Sequence, residues 1–506
     1  MRAMSLAAAF RRISGLTGIS RILGFLRDVA FAAFLGAGPA ADAFLVALKL
    51  PNMFRRLTAE GALANAFVPT FADLRSSDSH ASAMRLAGEV QTTLMFALLA
   101  LVVMAEWHMP ATIGVLAPGF VDTPDRMEAA VDLARVTFPY LPMISLVAFW
   151  AALANAHDRF SAAALMPVIF NICLIAGALA LPFWGGADAR AMPLAVALLL
   201  AGSIQLVVMA VVLARAGIMP RWHMPRMVPA ARRMWRRFVT ASAGAIAMQV
   251  NLIVDLVLAS LLGVGAISWL YYADRIVQLP LGVIGIALGT ALLPRLSAQF
   301  RENDMQPARQ TLSDAIWFAA FLALPACIAL MMIGPQIIAG LFRYGAFSMS
   351  DALASGMALS IYAIGLPGHL LVKILQPAFY AAHRPGLVLA VSVVMVAVNI
   401  ILSVTLMPVY GHLGLALATS VSGLFAAVTL FLLAVRSGYI GMLPVSGLVR
   451  IIAACIAMAI SLAAIDSLLP PIASWLEMGA LVGGGSAVFL LAALMLRAIP
   501  PQLVRG

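Results

Sequence analysis

Apolar runs long enough to cross a lipid bilayer recur along the whole chain of 506 residues. A transmembrane helix needs about 20 consecutive, mainly apolar residues. Hydrophobic residues make up 63% of this chain and charged residues only 10%. In a soluble domain about half of the residues are apolar and about a quarter are charged. Backbone amides in hydrocarbon must bond within their own segment, so the sequence predicts an all-α polytopic membrane protein.

The apolar runs predict about fourteen transmembrane helices by the length criterion. Their predicted positions are 16–37, 40–71, 90–108, 130–154, 161–183, 193–214, 238–262, 266–295, 315–341, 352–382, 385–408, 413–435, 447–469 and 476–497.

Basic residues alternate between the loops that separate these spans. The formal charge of +11 would suggest a nucleic-acid partner in a soluble protein. Here the arginines concentrate in every second loop, as cytoplasmic loops require, so we expect membrane lipids and no nucleic acid as partners. The pattern predicts a multi-pass inner-membrane protein with both termini in the cytoplasm. The predicted outer loops contain only Arg126, Arg190 and Arg343.

A sequence pattern near the start of the chain returns near its middle. Gly36-x-Gly38 precedes Leu50-Pro51, and Gly263-x-Gly265 precedes Leu279-Pro280 at similar spacing. An even number of spans separates the copies, so the repeat would be parallel, although chance recurrence in apolar sequence is the alternative. We predict two six-helix lobes and two extra C-terminal helices. The predicted divisions are 1–214, a basic cytoplasmic linker with an interfacial helix at 215–237, 238–440, and 441–506.

Polar side chains inside the spans are the main functional signal. A charged residue at a helix centre costs about 2.5–3.5 kcal/mol on insertion scales. The first two spans nevertheless contain Arg21, Arg27, Asp28, Asp42, Lys49, Asn52, Arg55, Arg56 and Glu60. Such spans must line a wet cavity or lie between helices.

The eighth span carries a second polar stripe. Ser268, Tyr271 or Tyr272, Arg275 and Gln278 follow helical spacing, and Asp274 is the neighbouring acid. Internal ion pairs, such as Arg27 with Asp28, are the structural alternative for these charges. The planar guanidinium of arginine binds phosphate in bidentate fashion and stays charged. We therefore expect Arg27, Arg55 and Arg275 to bind a phosphate or diphosphate, with Arg21 assisting.

A second set of polar residues suggests a cation site. Asp255 lies in the seventh span, Asn399 and Ser403 in the eleventh, and Thr419 in the twelfth. Such oxygen ligands suit Na⁺, and Asp255 can also carry a proton. Polar contacts between helices are the alternative explanation.

Signatures of catalysis are missing from the sequence. It contains no GxxxxGK[ST] loop and no HExxH spacing, and its seven histidines are scattered. We therefore expect a transporter with no catalytic residues and no cofactor apart from a coupling Na⁺ or proton, not an enzyme.

Several long segments resemble one known family. They are SRILGFLRD at 20–28, DAFLVALKLPNMFRRLTAEGALANAFVP at 42–69, APGF at 117–120, FPY at 138–140 and SWLYYADRIVQLPLGVIGIALGTALLP at 268–294. The chain is similar here to the MurJ/MviN family of lipid II flippases, within the multidrug/oligosaccharidyl-lipid/polysaccharide exporter superfamily.

The resemblance implies a function in cell-wall biogenesis and cell shape. A family member moves lipid II, the undecaprenyl-diphosphate-linked peptidoglycan precursor, to the outer leaflet by alternating access, and its last two helices form a groove for the lipid tail. Partners in the cell-wall synthesis machinery are also implied. The implied cavity residues are Arg21, Arg27, Arg55, Arg275, Asp42, Asn52, Glu60, Ser268 and Asp274.

Two positions depart from the family pattern. Gln278 stands where relatives have an acid, and Ser403 stands where some have Asp, which weakens the implied cation site. From the residues alone, a cation-coupled multidrug antiporter, a flippase for another polyprenyl-diphosphate glycan and a membrane-embedded enzyme stay open. The antiporter would need acids and aromatic residues in its cavity, and the enzyme would need acids or histidines clustered at the membrane surface.

Overall fold

The computed structural model describes residues 6–58, 62–157, 159–184, 191–226, 228–301, 305–441 and 445–500. Within these ranges it leaves undescribed the side chains of 6–14, 54–58, 62, 241, 243–249, 283 and 286–291. The described backbone forms α-helices, two short 3₁₀ turns and no β-strand. The prediction of an all-α protein is confirmed.

The helices follow one another with short connections. In chain order they are α1 (Leu6–Leu35), α2 (Pro39–Thr58), α3 (Ala62–Ser77), α4 (His80–Trp107), α5 (Met109–Leu116), α6 (Pro124–Thr137), α7 (Tyr140–Asn155), α8 (Phe160–Ala180), α9 (Met192–Arg215), α10 (Pro229–Ser260), α11 (Ala266–Arg301), α12 (Met305–Met332), α13 (Gly334–Phe342), α14 (Met349–Ala381), α15 (Pro385–Tyr410), α16 (His412–Arg436), α17 (Val445–Leu468) and α18 (Ser474–Met495).

Ten segments of the described chain are long and apolar enough to cross a membrane. They are α4, α6 with α7, α8, α9, α12, and α14 to α18. The four other long helices are α1, α2, α10 and α11, and they contain most of the charged residues that the sequence places inside spans. In α1, every window of 18 residues between 15 and 35 includes Arg21, Arg27 and Asp28. The ten apolar segments and these four long helices together agree with the predicted count of about fourteen spans. The chain is therefore a multi-pass membrane protein.

The chain divides into two compact units, Met1–Gly265 and Ala266–Gly506. The sequence predicts a second lobe that begins at residue 238, whereas the second unit begins at Ala266. The reason is the packing of α10, which contacts α2, α3 and α5 of the first unit.

The segment 215–237, predicted as a linker with an interfacial helix, does not form a separate helix in the structure. Residues 216–226 form no helix, and α10 begins at Pro229 and continues to Ser260. Pro220 and Pro225 disfavour a helix in this segment, whereas Pro229 occupies the first turn of α10, where its missing N–H is no loss. Residues 229–237 are therefore the first turns of a long helix.

Each copy of the sequence repeat contains a glycine with positive φ, the first glycine in one pair and the second in the other. Gly36 has a φ of +72° between α1 and α2, and Gly265 has a φ of +93° between α10 and α11. Glycine adopts this left-handed region without the steric cost that a Cβ would bring. A proline interrupts each following helix, Pro51 in α2 and Pro280 in α11. Each glycine pair therefore marks a tight turn into a helix that contains proline.

Small residues allow close helix packing in the second unit. A Cβ added to Gly365 of α14 would lie 2.7 Å from the Ser420 Cα of α16, and one added to Gly356 would lie 2.3 Å from Pro335 Cα. Helices in membranes associate largely through such close van der Waals contact. The α14 backbone therefore lies against both α13 and α16.

Candidate functional site

Arg27 of α1 is held by neighbours within the first unit. Its Nη2 donates to Asp28 Oδ1 at 2.7 Å, and its Nη1 donates to Asn171 Oδ1 at 3.0 Å. The guanidinium also lies 5.6 Å and 5.7 Å from the ring centroids of Phe31 and Phe170. The side chain of Arg27 is 12% exposed. The Arg27–Asp28 ion pair considered in the sequence analysis is thus present, and one polar contact to α8 accompanies it.

Asn171 is a site residue that the sequence analysis missed. Its Nδ2 donates to the Ser20 carbonyl of α1 at 3.0 Å while its Oδ1 accepts from Arg27. Gly24 lies alongside, where an added Cβ would be 3.5 Å from Asn171 Nδ2. The sequence does contain a signal for Asn171, because a polar amide inside an apolar span is the same feature that identified Asn52.

Asp42 of α2 is fully buried in the first unit. Its Oδ2 accepts from Arg126 Nη2 at 3.1 Å and from the Gly265 N–H at 2.8 Å. Arg126 in turn lies 4.1 Å from the Phe120 ring centroid. These are the contacts of a structural ion pair, and a contact between Asp42 and a cargo stays a prediction.

The other predicted residues of the first unit differ in accessibility. Arg21 is exposed on α1, and Asn52 is half-buried on α2. Lys49 is exposed while residues 41–48 and Leu50 of the same helix are buried. Arg55 belongs to α2, but its side chain lies outside the described residues, as does Glu60.

The start of α11 divides into two faces in the second unit. Ser268 and Tyr272 are buried, and Tyr272 packs against Phe342 and Phe347. Asp274 is exposed and accepts a hydrogen bond from Gln278 one turn later. Of the two tyrosines left open by the sequence, Tyr272 therefore belongs to the packed face.

Arg275 is half-buried at the edge of the exposed face of α11. Its guanidinium carbon lies 4.7 Å from the ring centroid of Tyr271. Stacking on an aromatic ring orients the guanidinium without occupying all of its N–H donors. A contact between Arg275 and a phosphate stays a prediction.

Lys373 of α14 is a second residue that the predicted site did not include. An added Cβ on Gly285 of α11 would lie 3.0 Å from Lys373 Cδ and 3.3 Å from its Nζ. Lys373 is exposed, although it lies in a span. Lys373 therefore lies against α11 about three turns beyond Asp274 and Arg275.

Part of the predicted cation site comes together in the second unit. Asn399 and Ser403 are buried one turn apart on α15, and Asn399 Nδ2 donates to Thr419 Oγ1 at 3.3 Å. Asn399 Oδ1 and Ser403 Oγ are buried and have no hydrogen-bond partner in the described part of the chain. Such oxygens suit a hard cation.

The remaining member of that set, Asp255, lies on α10 in the first unit. Asn251 donates to Asp255 Oδ2 at 3.3 Å, one turn earlier on the same helix. Among the described residues, no three His, Cys, Asp or Glu side chains are grouped so that they could hold a metal ion.

The chain matches a family model over most of its length. The model described as lipid II flippase MurJ matches residues 31–476. A probable lipid II flippase MurJ from Rhizobium tropici is 39% identical over 440 residues, which cover 86% of this chain and 82% of that protein. The lipid II flippase MurJ of Burkholderia cenocepacia is 32% identical over 439 residues, covering 85% and 84%.

Solved structures agree with the fold. A structure of lipid II flippase MurJ in an inward closed conformation superposes with a TM-score of 0.81 at 24% identity, covering 96% of this chain and 98% of that one. An inward-facing multidrug transporter of the MATE family has a TM-score of 0.68 at 17% identity, covering 83% and 94%. Both superpositions support the all-helical fold, and the sequence matches show that this chain belongs to the MurJ family of lipid II flippases.

Proposed function

We propose that this chain moves lipid II from the inner to the outer leaflet of the bacterial plasma membrane, for peptidoglycan synthesis. The observation that carries the proposal is the match to the lipid II flippase family over residues 31–476. Relatives named as lipid II flippases cover more than four fifths of the chain. The chain acts as a transporter, and no reaction is assigned to it.

The arginines supply the chemistry that such a cargo needs. A diphosphate cannot enter hydrocarbon without donors that replace its hydration. Charge-assisted hydrogen bonds contribute about 1.5–3 kcal/mol each. In the first unit Arg27, with Arg21 and Arg55, and in the second unit Arg275 offer such donors to the diphosphate. Bonds of this strength replace water and still allow release.

The neighbours of these arginines position them. Asn171 and Asp28 fix the guanidinium of Arg27, and the Tyr271 ring orients that of Arg275. In the unloaded protein, Asp28 satisfies part of the charge of Arg27. Binding of cargo therefore exchanges an internal contact for a contact with phosphate, which keeps the affinity moderate. The protein alternates between states open to either side, with the cargo bound midway.

A coupling cation is part of the proposal. In the second unit, Asn399, Ser403 and Thr419 provide oxygen ligands for Na⁺ or a proton. In the first unit, Asp255 provides a negative charge that such a cation can neutralise. A bound cation supplies a charge that favours one conformational state over another. Two buried oxygens without hydrogen-bond partners in the described chain support this assignment.

The orientation follows from the arginine distribution. Both termini and the segment 215–237 lie in the cytoplasm, where they meet anionic lipid. Proteins of the cell-wall synthesis machinery that make or consume lipid II are the expected partners.

The test is replacement of a bacterium's own lipid II flippase by this chain. Growth and outer-leaflet lipid II should both be restored, because the chain supplies the missing step. Cells that lyse although the chain is present in the membrane at normal abundance would reject the proposal. A variant with Arg27→Ala and Arg275→Ala serves as the matched control.

A further inference from the structure

A cavity of about 400 Å³ lies in the second unit beside the connection between α17 and α18. Its walls include Gln336 of α13, Arg343 just after α13, and Leu353 of α14. The α17–α18 side contributes Asp466, Ser474 and Glu477, among others. Ligand pockets commonly measure about 300–1,000 Å³. The arginine alternation places this end of the unit at the outer face of the membrane.

The cavity combines one cation with two carboxylates. Arg343 Nη1 donates to Ser474 Oγ at 3.1 Å, and Gln336 Nε2 donates to Asp466 Oδ1 at 3.2 Å. Gln336 Oε1 is buried and accepts no hydrogen bond from the described residues. The walls therefore offer N–H donors for an anion and several acceptors for an N–H donor. Their complement is a group that carries an anion and an ammonium close together.

The rim of the cavity indicates where such a group comes from. Leu468 ends α17 with 82% of its surface exposed, and Trp475 in the first turn of α18 is 54% exposed. Exposed apolar and tryptophan side chains at helix ends lie at the level of the lipid headgroups. A ligand that reaches this cavity from the bilayer has its polar group at the same depth and its acyl chains beside the apolar rim.

We propose that this cavity binds the phosphoethanolamine headgroup of an outer-leaflet phospholipid. Arg343 donates hydrogen bonds to the phosphate, and Asp466 and Glu477 accept from the ammonium. A phosphoglycerol headgroup offers no ammonium, and a phosphocholine headgroup has no N–H to donate, so both bind more weakly. The bound headgroup stabilises the α17–α18 pair against α13. The inference does not depend on lipid II transport.

The test uses the full chain in detergent and measures binding and thermal stability with short-chain phosphatidylethanolamine, phosphatidylcholine and phosphatidylglycerol. Glycerophosphoethanolamine, which lacks acyl chains, is the fourth probe. The ethanolamine lipid should bind about tenfold more tightly than the glycerol lipid, as a charge-assisted hydrogen bond predicts. Glycerophosphoethanolamine should bind more weakly than phosphatidylethanolamine, because it lacks the acyl chains that contact the apolar rim. Equal binding of these two probes would contradict a lipid site.

Variants separate the two halves of the headgroup. Asp466→Asn with Glu477→Gln should abolish the preference for ethanolamine without weakening the binding of the glycerol lipid. Arg343→Ala should weaken both lipids, and Leu353→Trp should block both by filling the cavity with every charge intact. Arg384→Ala, an exposed arginine at the other end of the unit, is the matched control and should change nothing. An ethanolamine preference that survives Asp466→Asn with Glu477→Gln, or binding that survives Leu353→Trp, overturns the inference.

Discussion

Arg126 and Asp42 form an ion pair that is almost completely buried in the first unit, with 3.1 Å between Nη2 and Oδ2. Asp42 lies on α2 and Arg126 on α6, 84 residues later. The same carboxylate oxygen accepts the Gly265 N–H, so one acid fixes both α6 and the turn that follows α10. The pair therefore joins three distant parts of the chain.

Asp42→Asn should destabilise the protein strongly. The change leaves the Arg126 guanidinium buried without a counter-charge, which typically costs about 3–5 kcal/mol. Thermal unfolding in detergent is the measurement, and Asp125→Asn, an exposed acid of α6 next to Arg126, is the control. Adding Arg126→Met to Asp42→Asn should recover part of the loss, because the unpaired charge is then gone. Strictly additive effects of the two substitutions would contradict a buried pair.

Gly356→Ala should destabilise the second unit through overpacking. The added Cβ would meet Pro335 Cα at 2.3 Å, and neither backbone can move without separating α13 from α14. A loss of about 1–3 kcal/mol is expected. Gly479→Ala is the matched control, because no atom lies within 4 Å of its added Cβ. Equal unfolding temperatures for the two variants would show that the helices are less closely packed.

The sequence predicted the helical class, the span order and the helices that carry polar residues. It did so because hydrocarbon permits few backbone structures and because charges inside it are rare. The pairing of Arg126 with Asp42 was beyond reach, since Arg126 reads as an ordinary residue of an outer loop. The contact of Asn171 with Arg27 joins residues 144 apart, which helical spacing cannot reveal. The start of α10 at Pro229 was also not predicted, because Pro220, Pro225 and Pro229 are each compatible with a helix start in the sequence alone.

Asp255→Ala should remove the response of transport to the coupling cation. If Asp255 carries the charge that Na⁺ or a proton neutralises, the rate of lipid II translocation should lose its dependence on Na⁺ concentration or pH. The rate is measured in proteoliposomes at several Na⁺ concentrations and pH values. Asp314→Asn, which lies on α12 outside the predicted site, is the control. Unchanged cation dependence in Asp255→Ala would remove the site from the account.

Reporter fusions after Arg237 and Arg505 should both report the cytoplasm. The expectation rests on the arginine bias of alternate loops, which orients membrane helices. A periplasmic reporter should be active only at the outer connections, such as the one near Arg190. A periplasmic signal at either cytoplasmic position would contradict the fourteen-span arrangement.

The most direct test is translocation of a fluorescent lipid II analogue by purified protein in proteoliposomes, with the amount of inserted protein measured in parallel. Arg27→Ala and Arg275→Ala should each abolish translocation, and the Lys variants should be impaired, because lysine keeps the charge but loses the bidentate fork. Normal insertion with no translocation is the predicted result. Translocation at the wild-type rate by the double variant Arg27→Ala, Arg275→Ala would contradict the account.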